Sequence, residues 1–172
     1  EYGPAELEKR VLMPERIDAM CAHLVAQLLA HGEPEQKTIV FCVTDWHAGE
    51  VARRLRELYR DWCHARGVEP KQDYAFRCTQ KAGDAKSTTA DLRGSVTSHF
   101  IACTVELLST GVDVPALQNI VFFKYLSSPI LFAQMLGRGT RLHAETEKLM
   151  FRVFDYTGAT DLFGIDYKTK LK

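Results

Sequence analysis

The sequence lacks both an excess of one charge and any long apolar run. Its 22 basic and 22 acidic side chains give a formal net charge of zero, so no whole-protein field draws the chain to nucleic acid or membrane. No run approaches the roughly 18 apolar residues of a membrane span, and residues 1–4 lack the basic and apolar regions of a signal peptide. We therefore expect a cytoplasmic protein without membrane contacts, in which any contact with DNA comes from a local patch.

Closely spaced cysteines and clustered histidines are also missing. The five cysteines are odd in number, and the nearest two, Cys63 and Cys78, are 15 positions apart, which excludes a Cys-x-x-Cys metal or redox motif. The histidines show no metal-ligand spacing and are His23, His31, His47, His64, His99 and His143. We expect buried free thiols, histidines in surface or capping positions, and no metal site.

An initiator methionine and a phosphate-binding P-loop are absent too. The nearest candidate for a P-loop, residues 82–87, has Ala85 where the motif needs a glycine before Lys86, and we interpret residues 83–87 as a loop. A chain of 172 residues predicts one domain. We expect a piece of a longer chain, with a lead-in and amphipathic helix at 1–36, a folded lobe at 37–156 and the start of a following segment at 157–172.

Short apolar runs alternate with amphipathic stretches along the chain. The runs predict strands at 38–43, 74–77, 100–103, 120–123 and 151–154, and helical spacing predicts helices at 14–31, 44–67, 88–96 and 129–136. Thr44 and Asp45 offer oxygens that can cap the helix that follows them. Alternation of this kind predicts an α/β fold with a mainly parallel central sheet and helices on both faces, in three layers.

In such a sheet, ligands bind where strands end and helices begin. The segment after Cys103, residues 104–115, holds hydroxyls able to bond a phosphate, Gly111, which lets a ligand approach the backbone, and Asp113, which could accept hydrogen bonds from a ribose. The same residues are also typical of a turn, so this segment alone leaves both interpretations open.

A second segment, residues 134–142, reads Gln-Met-Leu-Gly-Arg-Gly-Thr-Arg-Leu. Gly137 and Gly139 bracket Arg138 and free the backbone to turn. Arg138 and Arg141 each present a rigid fork of donors that matches phosphate oxygens. The pattern Gln-x-x-Gly-Arg-x-x-Arg is specific when it follows the first segment at the right distance.

Together these segments resemble the second RecA-like motor domain of superfamily 2 helicases and translocases. Residues 39–42 resemble the strand of motif IV, residues 104–115 resemble motif V, and residues 134–141 resemble motif VI, in the family's order. The details of residues 107–115 and 136–142, and the ending at 154–163, are most similar to the R subunit of type I restriction enzymes. The resemblance implies a three-layer RecA-like fold.

The resemblance also implies roles for single residues. Arg141 matches the arginine finger that reaches the γ-phosphate of ATP bound to the first motor domain, Arg138 matches its companion phosphate contact, and Gln134 couples the two domains around the nucleotide. A finger of this kind accelerates hydrolysis by about 10³ to 10⁵ in other nucleotide hydrolases.

Nucleotide and nucleic-acid contacts follow from the same resemblance. Gly111, Asp113 and Gly137 match positions near the nucleotide, with Asp113 on the ribose. Thr104 and Thr44 match positions that bond the phosphodiester backbone of the tracked strand, which suits a translocase because such contacts carry no sequence information.

The resemblance implies half of an ATP-driven double-stranded DNA translocase, in a bacterial or archaeal type I site-specific deoxyribonuclease. ATP and Mg²⁺ would be bound chiefly by the absent first motor domain, and the chain alone would be inactive. Its partners would be double-stranded DNA, that first domain, and modification and specificity subunits. The alternatives are the same lobe of another DNA or RNA helicase, or a binding module that has lost catalysis.

Overall fold

The computed structural model describes residues 12–79, 85–105, 116–126 and 152–158. Within these ranges helices and strands alternate along the chain, as the sequence predicts. They are α1 (Pro14–Ala30), β1 (Thr38–Phe41), α2 (Asp45–Arg66), β2 (Ala75–Arg77), α3 (Ala85–Gly94), β3 (Ile101–Thr104), β4 (Asn119–Phe122) and β5 (Arg152–Asp155). The helix predicted at 129–136 lies outside the described residues.

The five strands form one sheet in the order β2-β3-β1-β4-β5, and all neighbouring pairs are parallel. The central strand is β1, in which Thr38 is in register with Ile101 of β3 and with Asn119 of β4. The predicted parallel sheet is confirmed. Its carboxyl edge brings together the segments that follow β1, β2 and β3.

Side chains of the strands alternate between two apolar layers. Val40 packs on one face of the sheet in a cluster that contains the buried sides of α1 and α2. Ile39 and Phe41 pack on the other face with Leu92 of α3. Strands that are buried on both faces read as continuous apolar runs, as β1 does. Helices on both faces of the sheet confirm the predicted three layers.

The first helix is part of the core. Leu24 and Leu28 of α1 are fully buried, and the Asp18 carboxylate of α1 lies 3.2 Å from Nε of Arg54 on α2. The described part of the predicted lead-in segment therefore packs on the sheet together with α2.

Both ends of α2 lie where the sequence predicts them. The Thr44 hydroxyl accepts a hydrogen bond from the His47 N–H at 3.1 Å, which satisfies one of the free donors of the first turn. At the other end Gly67 has a φ of +64°, and its N–H donates to the carbonyl of His64 at 3.2 Å. A left-handed glycine is a common helix terminator because other residues pay a steric cost there.

Two expectations are wrong, and one is confirmed. Residues 85–87 belong to α3 and not to a loop, because Ala85 and Lys86 are strong helix formers and the helix is long enough to seat Leu92 in the core. His47 is fully buried and the cap of α2 is Thr44, so neither a surface nor a capping position describes it. All five cysteines are buried thiols that form no disulfide, as expected.

A buried polar junction closes the amino edge of the sheet. The Gln36 side chain donates from Nε2 to the Leu28 carbonyl at 2.8 Å. Its Oε1 accepts from Asn119 Nδ2 at 3.2 Å and from an Arg152 guanidinium nitrogen at 2.9 Å. One amide therefore joins the end of α1 to β4 and β5 at the edge opposite to the predicted site.

Candidate nucleic-acid interface

The carboxyl edge of the sheet carries the two predicted site residues that the structure describes, Thr44 after β1 and Thr104 at the end of β3. Because β1 and β3 are neighbours, the two residues follow adjacent strands at the same edge. The other predicted residues lie outside the described ranges. They are Gly111, Asp113, Gln134, Gly137, Arg138 and Arg141.

Thr104 is fully buried, and its hydroxyl has no hydrogen-bond partner. Its backbone is paired, since its carbonyl accepts from the Cys42 N–H at 2.7 Å. An unsatisfied buried hydroxyl costs about 1–3 kcal/mol. The predicted contact with a phosphodiester needs this hydroxyl to be accessible, and in this conformation it is not.

Thr44, in contrast, is exposed. Its oxygen accepts the capping hydrogen bond from His47, and a threonine hydroxyl that accepts one bond can still donate its own proton. Thr44 is therefore free to donate to a phosphate oxygen while it caps α2.

An ion pair fixes the start of α2 against the end of β2. One carboxylate oxygen of Asp45 accepts a hydrogen bond from Nη1 of Arg77 at 3.1 Å. The Thr79 hydroxyl donates to the other oxygen. Sequence reasoning gave Asp45 a capping role and Arg77 no role. The contact joins residues 32 positions apart, and only the sheet order brings them together.

Trp46 lies next in the chain and was also missed. Its side chain is 55 % exposed, which makes it the most exposed aromatic residue in the described part of the chain. Tryptophan is usually well buried, but the helical spacing of the buried Ala48, Val51 and Leu55 places position 46 on the opposite, outer face, and this mismatch is the signal that could have found it. Here the inner face of the first turn is taken by His47 and Ala48, both fully buried.

His47 holds the connection between β1 and α2 from within. Its Nδ1 accepts from the Val43 N–H at 3.1 Å, which places the ring proton on Nε2. Burial lowers the pKa of His47 to about 4, because the charged imidazolium loses its hydration. The side chain is therefore neutral at physiological pH, and it positions the turn that carries Thr44.

The described residues contain no group of three or more His, Cys, Asp or Glu side chains that could hold a metal ion. Among the same residues, no helix is both long and apolar enough to cross a membrane.

Comparison with known proteins finds similar sequences and structures over most of the length of the chain. It is 34 % identical to the type I restriction enzyme EcoKI endonuclease subunit of Escherichia coli (strain K12), over 161 residues that cover 90 % of this chain and 13 % of that protein. A solved fragment assigned as the HsdR subunit of a type I restriction enzyme from Vibrio vulnificus YJ016 shares 34 % identity with a TM-score of 0.81, covering 94 % of this chain and 30 % of the other.

More distant structures share the fold alone. The RNA-bound structure of Mss116p is 15 % identical with a TM-score of 0.60, over 91 % of this chain and 28 % of that one. No protein-family model matches the chain. Because it spans about an eighth of its curated relative, the similarity is to a segment of a larger subunit. The chain therefore has the fold of a RecA-like domain, and it is similar in sequence to a segment of the endonuclease subunits of type I restriction enzymes.

Proposed function

We propose that the chain is the C-terminal motor lobe of an ATP-dependent DNA translocase in a type I restriction endonuclease. The observation that carries this proposal is the order of motifs IV, V and VI in a chain that is 34 % identical to a type I endonuclease subunit. In the complete subunit, ATP hydrolysis would drive DNA past the enzyme before cleavage.

In the proposed mechanism, the nucleotide site lies between this lobe and the first motor domain. The first domain would supply the P-loop and the Mg²⁺ ligands, and the bond that is hydrolysed is the terminal phosphoanhydride of ATP. Arg141 would stabilise the charge that develops on the γ-phosphate, with Arg138 as a second phosphate contact and Gln134 coupling the domains. The lobe's remaining nucleotide contacts are proposed at Gly111, Asp113 and Gly137.

On the nucleic-acid side, the lobe would hold the backbone of one strand of double-stranded DNA. Thr44 is an exposed residue at the carboxyl edge, which supports this role, and the Thr104 hydroxyl would need to become accessible to share it. The nuclease carboxylates and the contacts with modification and specificity subunits would lie in other parts of the assembly.

The test is the Arg141→Ala variant of the full-length subunit in the assembled enzyme. Loss of an arginine finger should lower DNA-stimulated ATP turnover by about 10³-fold or more, because the charge that develops on the γ-phosphate would lose the guanidinium proposed to stabilise it. Arg60→Ala is the matched control, since Arg60 is an exposed arginine on α2 and its loss should leave turnover unchanged. Near-normal ATP turnover by the Arg141→Ala variant would contradict the assignment of Arg141 as the arginine finger.

A strand-displacement assay on the same enzyme separates translocation from helicase activity. A translocase should advance along duplex DNA without releasing a labelled strand. Efficient strand release would favour an unwinding helicase in place of a type I motor.

A further inference from the structure

The unexplained feature of the carboxyl edge is the exposed indole of Trp46. Leaving more than half of a large aromatic side chain in water forgoes hydrophobic stabilisation. The residue is not on a loose loop, since it lies in the first turn of α2, which Thr44 caps and His47 anchors. The fold therefore holds an apolar ring outward on a rigid element.

Polar groups are anchored on the residues next to Trp46 in the chain. Thr44 lies two residues before it and is an exposed residue. Asp45 holds Arg77 at 3.1 Å, and the Arg77 side chain is 43 % exposed. We call Thr44, Trp46 and Arg77 the edge strip.

The composition of the edge strip favours a sugar–phosphate backbone over a protein surface. A protein-docking patch gathers apolar side chains into a continuous area. The other exposed large apolar residues of the described part lie elsewhere: Met13 precedes α1, Val68 follows the far end of α2, and Val96 follows α3. An apolar ring on a turn that also carries a hydroxyl and holds a guanidinium instead matches an apolar sugar next to phosphates.

We propose that Trp46 packs against a deoxyribose of the tracked DNA strand, beside the phosphate that Thr44 bonds, and that Arg77 contacts a further phosphate. This inference rests on the proposed function and adds two residues to its DNA contacts. The contact would be insensitive to sequence, because every nucleotide carries the same deoxyribose.

The experiment measures the affinity of the full-length subunit for a fluorescently labelled DNA duplex over a range of salt concentrations. Trp46→Ala should weaken binding about tenfold with no change in salt dependence, because no charge is removed. Trp46→Phe should recover part of that loss. Arg77→Gln should reduce the slope of log K against log salt by about 1.

Trp62→Phe is the control, because Trp62 lies near the far end of α2, partly buried against the core and under the Arg66 guanidinium at 4.3 Å, and its replacement should leave DNA affinity unchanged. If Trp46→Ala binds DNA normally while DNA still stimulates ATP turnover, the inference fails and the proposed function stands. If Trp46→Ala loses only assembly with other subunits, the ring docks a protein and the inference is wrong. If the unmodified subunit binds no duplex, both proposals fail.

Discussion

A single buried histidine decides how the loop after β1 is held. The Nδ1 atom of His47 accepts a hydrogen bond from the Val43 N–H, and the backbone N–H of His47 donates to the Thr44 hydroxyl. The two bonds close the turn from both sides and fix where Thr44 and Trp46 emerge. The arrangement requires a neutral ring, because a protonated imidazole has no acceptor to offer Val43.

We expect this requirement to make folding stability depend on pH. Burial lowers the pKa of His47 from about 6.5 to about 4, so between these values the unfolded chain binds more protons than the folded one. The contribution of neutral His47 to the free energy of unfolding is then fully present above pH 6.5, and it is lost as the pH drops towards 4. The full loss is about 3 kcal/mol, at 1.36 kcal/mol per pKa unit. Denaturant unfolding of the 172-residue chain from pH 4 to pH 7.5 measures it.

The variant that isolates this effect is His47→Asn, since the asparagine oxygen can replace Nδ1 as an acceptor without titrating. It should flatten the decline in stability below pH 6.5. His64→Asn is the control, because His64 is exposed on the same helix and should leave the decline in place. Equal slopes for the two variants would contradict the assignment to His47.

At the scale of elements, the two ends of α2 depend on different residues, and the carboxyl end depends on one glycine. Gly67 has a φ of +64° with no heavy atom within 4 Å of an added Cβ. Any cost of Gly67→Ala therefore comes from the backbone and not from a clash. We expect Gly67→Ala to lower the free energy of unfolding by about 1 kcal/mol.

The same substitution at Gly94 should act in the opposite direction. Gly94 is the last residue of α3, has no positive φ, and also has open space around an added Cβ. Gly94→Ala should stabilise the chain by about 0.5 kcal/mol, because alanine has less freedom to lose on folding. Thermal or denaturant unfolding of both variants checks the pair, and a loss of stability at Gly94 equal to that at Gly67 would refute the conformational explanation.

These elements also show what local sequence can predict. The strand at β1 and the bounds of α2 follow from a continuous apolar run, a threonine cap and a terminal glycine, all of which act within a few residues. The start of α3 was missed because Leu92 is its one fully buried apolar residue among those whose side chains are described, which leaves no periodicity to read. Within the edge strip, Thr44 was predicted and Arg77 was missed, because Arg77 meets Asp45 only through the strand order.

At the scale of the whole molecule, the described residues form a folding core with two unlike edges. Two apolar layers enclose a parallel sheet, and the amino edge is closed by the Gln36 junction. The carboxyl edge carries polar groups and an exposed indole instead. This asymmetry is typical of parallel α/β sheets, in which ligands bind outside the carboxyl ends of the strands, and the proposed function places a nucleotide site there that is shared with a second domain.

We therefore expect the isolated chain neither to hydrolyse ATP nor to bind it with submillimolar affinity. The sequence contains no Gly-Lys pair, and a P-loop needs that pair because its lysine and backbone N–H groups together hold the phosphates. The arginines proposed for the γ-phosphate would have no bound nucleotide to reach. Isothermal titration calorimetry of ATP into the 172-residue chain measures the affinity, with the full-length subunit as the positive control. A submillimolar dissociation constant for the chain alone would mean that it holds a nucleotide site of its own, and the shared-site proposal would have to be abandoned.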